Sequence, residues 1–252
     1  SVECKAAKGG QKGYSTRGLQ STYIEGPEDE SAIRFTDTRN LFSLSCDVTY
    51  GQLQVTDFVY AFERWHTQSS DKEILRSEAL IERDDASPST GGSWRDRMDD
   101  VEAEHYRPVG QQYYTQGLVL RFDQSALRAR YESASHEPVS WPQALVSLEQ
   151  ALEKSIAIVA ECDRSDFRVK TSTTGEEVIV HIVDSRQGGN GITWQVLNRL
   201  EAVEQRIHEV AGCDRCADYC DECLLLSRTP AYYLDNDLLD RRTLSAIITE
   251  NA

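Results

Sequence analysis

Four of the chain's seven cysteines, Cys213, Cys216, Cys220 and Cys223, fall within eleven residues of the stretch AGCDRCADYCDECLLL. Their spacing is C-x2-C-x3-C-x2-C. Each C-x2-C pair can turn both thiolates toward one point, and two such pairs complete a tetrahedron around a borderline-soft cation such as zinc. The three-residue gap between the pairs is tighter than in most zinc fingers. Structural zinc leads the readings of these residues, ahead of an iron–sulfur cluster and redox-active cysteines. Four cysteine ligands leave no position for water, so one ion held here serves the fold and does not carry out hydrolysis.

The remaining cysteines, Cys4, Cys46 and Cys162, have no regular spacing, and a chain of 252 residues can bury a full core without cystine staples. A reducing compartment follows. No run of about 18 apolar residues exists and the first residues lack the layout of a signal peptide, so the expectation is a cytoplasmic protein without a membrane partner. The chain opens on Ser1, which suggests trimming or a piece of something longer. Acidic residues outnumber basic ones by 42 to 27, and only six of the basic residues are lysine. Such a surface repels a polyanion as a whole, so nucleic acid would need a locally basic strip or a partner. The same composition also keeps proteins soluble in concentrated salt. Residues 1–20 run the other way, with Lys5, Lys8, Lys12 and Arg17 against Glu3, and read as a flexible basic end.

Hydrophobic period divides the rest into a strand-rich region, 21–130, and a helical one, 141–252. AIRFTD alternates through Ile33 and Phe35, and GQLQVTDFVYAFERW through Leu53 and Val55 before the apolar face switches to Phe58, Tyr60 and Phe62. That switch predicts a bulge or turn near Thr56 and Asp57. YYTQGLVLRFD, with Tyr114, Leu118, Leu120 and Phe122 on one face, is a third strand. Residues 83–107 are polar and charged, an insertion predicted to be mobile. Beyond the linker ESASHEPVSWP, Leu145, Leu148, Leu152, Ile156 and Val159 recur at helical steps. EEVIVHIVD then reads as a central strand covered on both faces, with His181 a hydrogen-bonded core histidine more than a ligand. Ile192, Val196, Leu200, Val203, Ile207 and Val210 form the face of one long helix leading into the cysteines. The fold class is α+β: a strand-rich first half, then helices around a central strand and a tetracysteine knuckle.

Between that strand and helix lies DSRQGGNG, Asp184 to Gly191. A glycine loop at a helix N-terminus can cradle an anion, and Arg186 with Gly188, Gly189 and Gly191 could meet a phosphate of DNA. It matches neither the dinucleotide fingerprint nor the P-loop. The other reading is a tight turn that needs positive φ, with Asp184 capping or hydrogen-bonding it. A catalytic Asp184 would need a second carboxylate or a base, and the sequence offers no paired candidate.

The succession of strand, DSRQGGNG, amphipathic helix, tetracysteine knuckle and LDNDLLDRRTLSAII resembles the zinc-binding C-terminal domain of MrfA (YprA)-like superfamily 2 DNA helicases, which also occurs in DrmB-like subunits of anti-phage systems. The positions carrying the resemblance are Asp184, Gly188, Gly189, Gly191, the four cysteines, Asn236, Leu239, Asp240 and Arg241. It is close from Leu145 onward and weaker upstream. The family often has glycine and proline flanking the third cysteine, where this chain has Tyr219 and Asp221, and its first cysteine pair is commonly one residue closer. The resemblance assigns structural roles to Asp184, Asn236, Asp240 and Arg241.

No Walker A sequence or Asp-Glu-x-His box is present in the 252 residues, and there is no room for two motor domains, so the chain itself is not the ATPase. The resemblance implies a non-motor accessory domain or subunit, working in DNA repair or anti-phage defence. Its partner would be a helicase motor in another chain or in an upstream part of a longer one, with DNA as a further ligand. The competing expectations are a hydrolase or nuclease using Asp184 and the glycine loop, and a protein-interaction scaffold.

Overall fold

The computed structural model describes residues 12–16, 19–25, 35–59, 61–66, 72–76, 109–134, 140–227, 229 and 231–249. In chain order its elements are β1 (Lys12–Thr16), β2 (Leu19–Glu25), β3 (Phe35–Leu41), β4 (Leu44–Val59), β5 (Ala61–His66), β6 (Lys72–Arg76) and β7 (Val109–Asp123). There follow α1 (Gln124–Ala134), α2 (Trp141–Val159), β8 (Phe167–Thr174), β9 (Glu177–Asp184), α3 (Ile192–Asn198), α4 (Leu200–Ala211), α5 (Ala231–Asp235) and α6 (Arg241–Ile248). The architecture is α+β, with strands crowded into the first half and helices into the second. No helix among the described residues is long and apolar enough to cross a membrane.

The chain divides into two units, Ser1–Tyr23 with Val55–Tyr113 and Ile24–Gln54 with Tyr114–Ala252. In the first, β1, β5 and β6 form an antiparallel three-stranded sheet with β5 central. β4 runs on as strand through Thr56 and Asp57, so no turn divides it there. Of the expected basic end, Lys12–Thr16 is strand and β2 begins at Leu19. The rest of that end and the whole charged insertion 83–107 lie outside the described residues, as do Cys4, Ile33 and Tyr60.

In the second unit β4, β7, β9 and β8 lie side by side in that order, with β3 paired to β4. β9 is the inner strand that its apolar run predicts, antiparallel to both neighbours: Val180 stands opposite Leu120 on β7 and Thr171 on β8. β8 itself escapes the hydrophobic period because its outward positions are Lys170, Ser172 and Thr174. One face of the sheet meets the helices through Val48, Tyr50, Leu118, Leu120, Phe122, Val180 and Ile182, all buried. On the other, a β-carbon at Gly117 would stand 2.2 Å from Leu53 Cδ1, so only glycine lets the Leu53 side chain cross the neighbouring strand.

Of the predicted stripe, helix α2 buries Leu148, Leu152 and Ile156 and leaves Leu145 and Val159 partly buried, while Ala144 and Ala151, both fully enclosed, permit close approach. It packs against β8, α4 and α6. The single long helix expected from Ile192 to Val210 is instead two, α3 and α4, meeting at Arg199 (φ −123°, ψ 25°). Arg199 Nη1 donates to the Val159 carbonyl at 2.8 Å, tying the break to the last turn of α2, where a cation meets the helix's unpaired carbonyls. Both helices still point the six anticipated apolar residues inward; all are buried. The stripe was sound and the continuity was not.

Candidate metal centre and glycine loop

Helix α4 ends at Ala211 and is capped by Gly212, whose N–H donates to the His208 carbonyl at 2.8 Å, and the knuckle begins on the next residue. The Sγ atoms of Cys213, Cys216, Cys220 and Cys223 all lie within 4.8 Å of one another. Cys213 and Cys220 are 3.8 Å apart, Cys216 and Cys223 3.5 Å, and Cys220 and Cys223 3.6 Å. A tetrahedral ion with bonds of about 2.3 Å to sulfur would hold its ligands about 3.8 Å apart. The separations therefore fit a bound zinc and are far beyond a covalent S–S bond of about 2.05 Å. Cys223 is fully buried, and with Leu224 it roots the knuckle in the core.

The chemistry of the donor set points the same way. Desolvation raises the Cys216 thiol to about 12, and hydrogen bonding with Cys223 and Cys220 adds to the rise. Four thiolates can coexist at this spacing once a divalent cation lies among them. The other described cysteines stand outside the cluster: Cys46 is a buried core thiol pushed up to about 12, chiefly by burial, and Cys162 is half-buried.

Two helices, α6 and α2, hold the knuckle from outside. Arg241, at the start of α6, donates from Nη1 to the Ala211 carbonyl at 2.9 Å and from Nη2 to the Cys216 carbonyl at 3.2 Å. Its own N–H donates to the Asp218 carbonyl at 2.7 Å, and Arg242 pairs with the Asp218 carboxylate at 2.7 Å. From α2, Lys154 Nζ donates to the Asp221 carbonyl at 2.6 Å. Asp240 caps α6: its Oδ1 accepts from Arg242 N–H and its Oδ2 from the Thr243 hydroxyl, both at 2.8 Å. The Asp240 N–H donates in turn to Ser147 of α2, and Leu239 beside it is buried. Asn236 lies on the exposed turn after α5.

The glycine loop is built around Asp184. Its carboxylate is fully buried; Oδ2 accepts from the N–H groups of Asn190 and Gly191, each at 2.8 Å, and Oδ1 from Thr193 N–H at 2.9 Å. Gly188, Gly189 and Gly191 all have positive φ, 80°, 92° and 85°. The N–H of Gly188 donates to the Tyr114 carbonyl and that of Gly189 to the Arg186 carbonyl. All three glycine amides that could have met a phosphate are thus used inside the protein, and a protein carboxylate fills the anion position at the start of α3. The chain thus places its own anion at this position. It also leaves the hydrolase reading with a carboxylate whose two oxygens already hold three amides. Arg186 keeps an exposed side chain, with a 3.8 Å pairing to Asp166.

Sequence reasoning missed Thr115, whose buried hydroxyl lies 3.0 Å from the Asp184 carbonyl oxygen and 2.7 Å from that of Arg186, joining β7 to the loop. It also missed Glu149, buried on α2. Glu149 accepts from the Thr171 N–H at 3.0 Å and the Tyr233 hydroxyl at 3.0 Å, and pairs with Lys170 at 3.3 Å. Neither belongs to a local motif, so no spacing could have announced them. His181 sits half-buried in β9, its pKa lowered to about 4 by burial first and then by Arg121.

Comparison with known proteins brings these features together. Three solved structures of the DUF1998 helicase MrfA are similar to this chain. For one bound to DNA the TM-score is 0.52 at 13% identity, covering 91% of this chain and 25% of the helicase. For one bound to DNA and AMPPNP the values are 0.44, 11%, 86% and 22%, and for one described as the helicase MrfA, 0.40, 16%, 75% and 20%. The chain therefore spans about a quarter of the helicase's length. No curated protein matches it in sequence. Residues 148–224, which run from the stripe of α2 through the last of the four cysteines, match the family described as the MrfA Zn-binding domain.

Proposed function

We propose that this chain is the zinc-bearing, non-motor part of a DNA helicase assembly. In that role it packs on a motor and helps hold DNA, in cytoplasmic DNA repair or anti-phage defence. The observation that carries the reading is the four-sulfur cluster, with all its Sγ atoms within 4.8 Å, inside the stretch that matches the MrfA Zn-binding domain. One zinc per chain, when bound, supplies a rigid crosslink. The chain's residues do the rest: Arg241 and Lys154 fix the knuckle against α6 and α2, and Asp184 fixes the loop that starts α3. The motor is supplied by another chain or by sequence upstream of Ser1.

The test is DNA binding by the purified, zinc-loaded chain, followed by fluorescence anisotropy with a duplex carrying a single-stranded tail. Binding that weakens when a chelator strips the metal supports the proposal. A zinc-loaded, folded chain with no affinity for this DNA refutes the DNA-holding role. ATP hydrolysis that vanishes on mutating a residue of this chain would refute the non-motor assignment.

A further inference from the structure

The four sulfurs of the knuckle are not equally open. Cys213, Cys216 and Cys220 are half-buried, whereas Cys223 is fully enclosed beside Leu224. The thiolate is the form of cysteine that attacks an oxidant, and it reacts where it is both kept ionised and reachable. Bound zinc meets the first condition, since its ligands must be deprotonated, and the exposure of three of them meets the second. Cys223 is out of an oxidant's reach, yet its Sγ lies 3.5 Å from that of Cys216 and 3.6 Å from that of Cys220. It is placed to capture an oxidised neighbour. Cys213 and Cys220 stand 3.8 Å apart, so the short contacts divide the four into two pairs, each joining one C-x2-C unit to the other.

Charge selects the oxidant. Asp214, Asp218, Asp221 and Glu222 are all exposed on this loop, and four thiolates on a divalent ion add two further negative charges. Arg215, Arg241, Arg242 and Lys154 offset part of this, but the chain as a whole carries a formal charge of -15. An anionic disulfide such as oxidised glutathione is repelled; hydrogen peroxide, small and uncharged, is not. Resting on the zinc reading but not on DNA holding, we propose that the knuckle is a modification site for hydrogen peroxide, at which Cys216 pairs with Cys223, Cys213 pairs with Cys220, and the ion is released. The Cys216 thiolate attacks one oxygen of the peroxide: an S–O bond forms, the O–O bond breaks, and the departing hydroxide takes a proton from solvent. The Cys223 thiolate then attacks the Cys216 sulfur; an S–S bond forms, the S–O bond breaks, and the hydroxyl leaves as water with a second solvent proton. Each such cycle takes two electrons from a thiolate pair and reduces one peroxide to two waters. After two cycles no thiolate ligand is left.

The experiment loads the whole chain with zinc, verifies the metal by elemental analysis, and adds hydrogen peroxide or, separately, oxidised glutathione. A chromophoric chelator too weak to strip the untreated protein reads the zinc set free. Peroxide is expected to release the bound zinc, and tandem mass spectrometry of proteolytic fragments to find the Cys216–Cys223 and Cys213–Cys220 linkages. A dithiol reductant with added zinc should restore the loaded form. Oxidised glutathione should act about tenfold more slowly, and Asp214→Asn combined with Asp221→Asn, which keeps every ligand, should narrow that gap. Zinc retained under peroxide, ligands driven to sulfinic or sulfonic acid without disulfides, or equal release by oxidised glutathione overturns the proposal while leaving the metal in place. A folded chain that carries no zinc overturns both.

Discussion

Arg241 Nη2 donates to the main-chain carbonyl of Cys216 at 3.2 Å, while Nη1 of the same guanidinium donates to the Ala211 carbonyl at 2.9 Å, joining the last turn of α4 to the second of the clustered cysteines. Arg241 lies 17 residues beyond the stretch 148–224 that matches the family (241 less 224). The C-terminal helix is therefore part of the metal centre's support, although it holds no ligand.

Arg241→Ala should consequently lower zinc affinity without removing a ligand, by about tenfold or more, as loss of outer-shell partners usually does. Competition with a chromophoric chelator measures it. Arg241→Lys should recover little, because an ammonium cannot bridge two carbonyls as the planar fork does. Unchanged affinity in the alanine variant would reduce the contact to packing.

The metal itself is the second prediction. Elemental analysis of protein purified without chelator should find one zinc per chain; iron in its place would revive the cluster reading. Cys220→Ser should lose the ion and speed hydrogen exchange through 207–225, because without the ion nothing crosslinks the turn whose main-chain bonds run from Cys223 and Leu225 to the Cys220 carbonyl. The strands should keep their protection, since Leu118, Val180 and Ile182 are fully buried between sheet and helices and none of them is a ligand.

The third prediction concerns the glycine loop. Asp184→Asn keeps the shape but offers the three amides a single acceptor oxygen, leaving at least one buried N–H unpaired at a cost of about 1–3 kcal/mol. Gly189→Ala should cost a similar amount for a different reason. At φ 92° its β-carbon would be 2.7 Å from Gln116 Cγ and 3.0 Å from Asp184 Oδ2. Chemical denaturation of both variants checks this. Stability unchanged by Asp184→Asn would mean that the carboxylate is there for chemistry and not for the loop.

What could be read from the sequence was what is local to it. The four cysteines announce their site because both ligand pairs lie on one short segment, and the inward residues of α2 and β9 follow from period alone. Arg199 shows the limit: an arginine is an ordinary helix residue, and the break there has its partner in Val159, forty residues earlier. The fate of the glycine amides was open for a related reason. Sequence puts Asp184 at the loop's mouth, but only the fold turns its carboxylate inward to take the place of an outside anion. β8 was passed over because Lys170, Ser172 and Thr174 give its outward side the look of a loop.

The last prediction is a pH dependence with a defined sign. The Glu153 carboxyl, on α2, has its pKa raised to about 7, by burial first and then by the nearby charge of Glu149, while Arg164 and Lys170 oppose the rise. Its ordinary value is 4.5. Between these values the folded chain keeps a proton that the unfolded chain has lost, so this group's contribution to stability is present below 4.5 and is lost as pH rises through about 7. His181 acts with the opposite sign. Held down at about 4 against an ordinary 6.5, it contributes stability above 6.5 that is lost as pH falls toward 4. The two partly cancel where their windows overlap, so the unaltered protein alone would not reveal either. Glu153→Gln isolates the first. Relative to the unaltered chain it should be more stable by about 2 kcal/mol at alkaline pH, discounted for the partial exposure of Glu153, and the gain should vanish in mild acid. Melting temperatures of the two proteins at both ends of that range are the measurement, and a difference that does not change with pH would show that Glu153 ionises in its ordinary range.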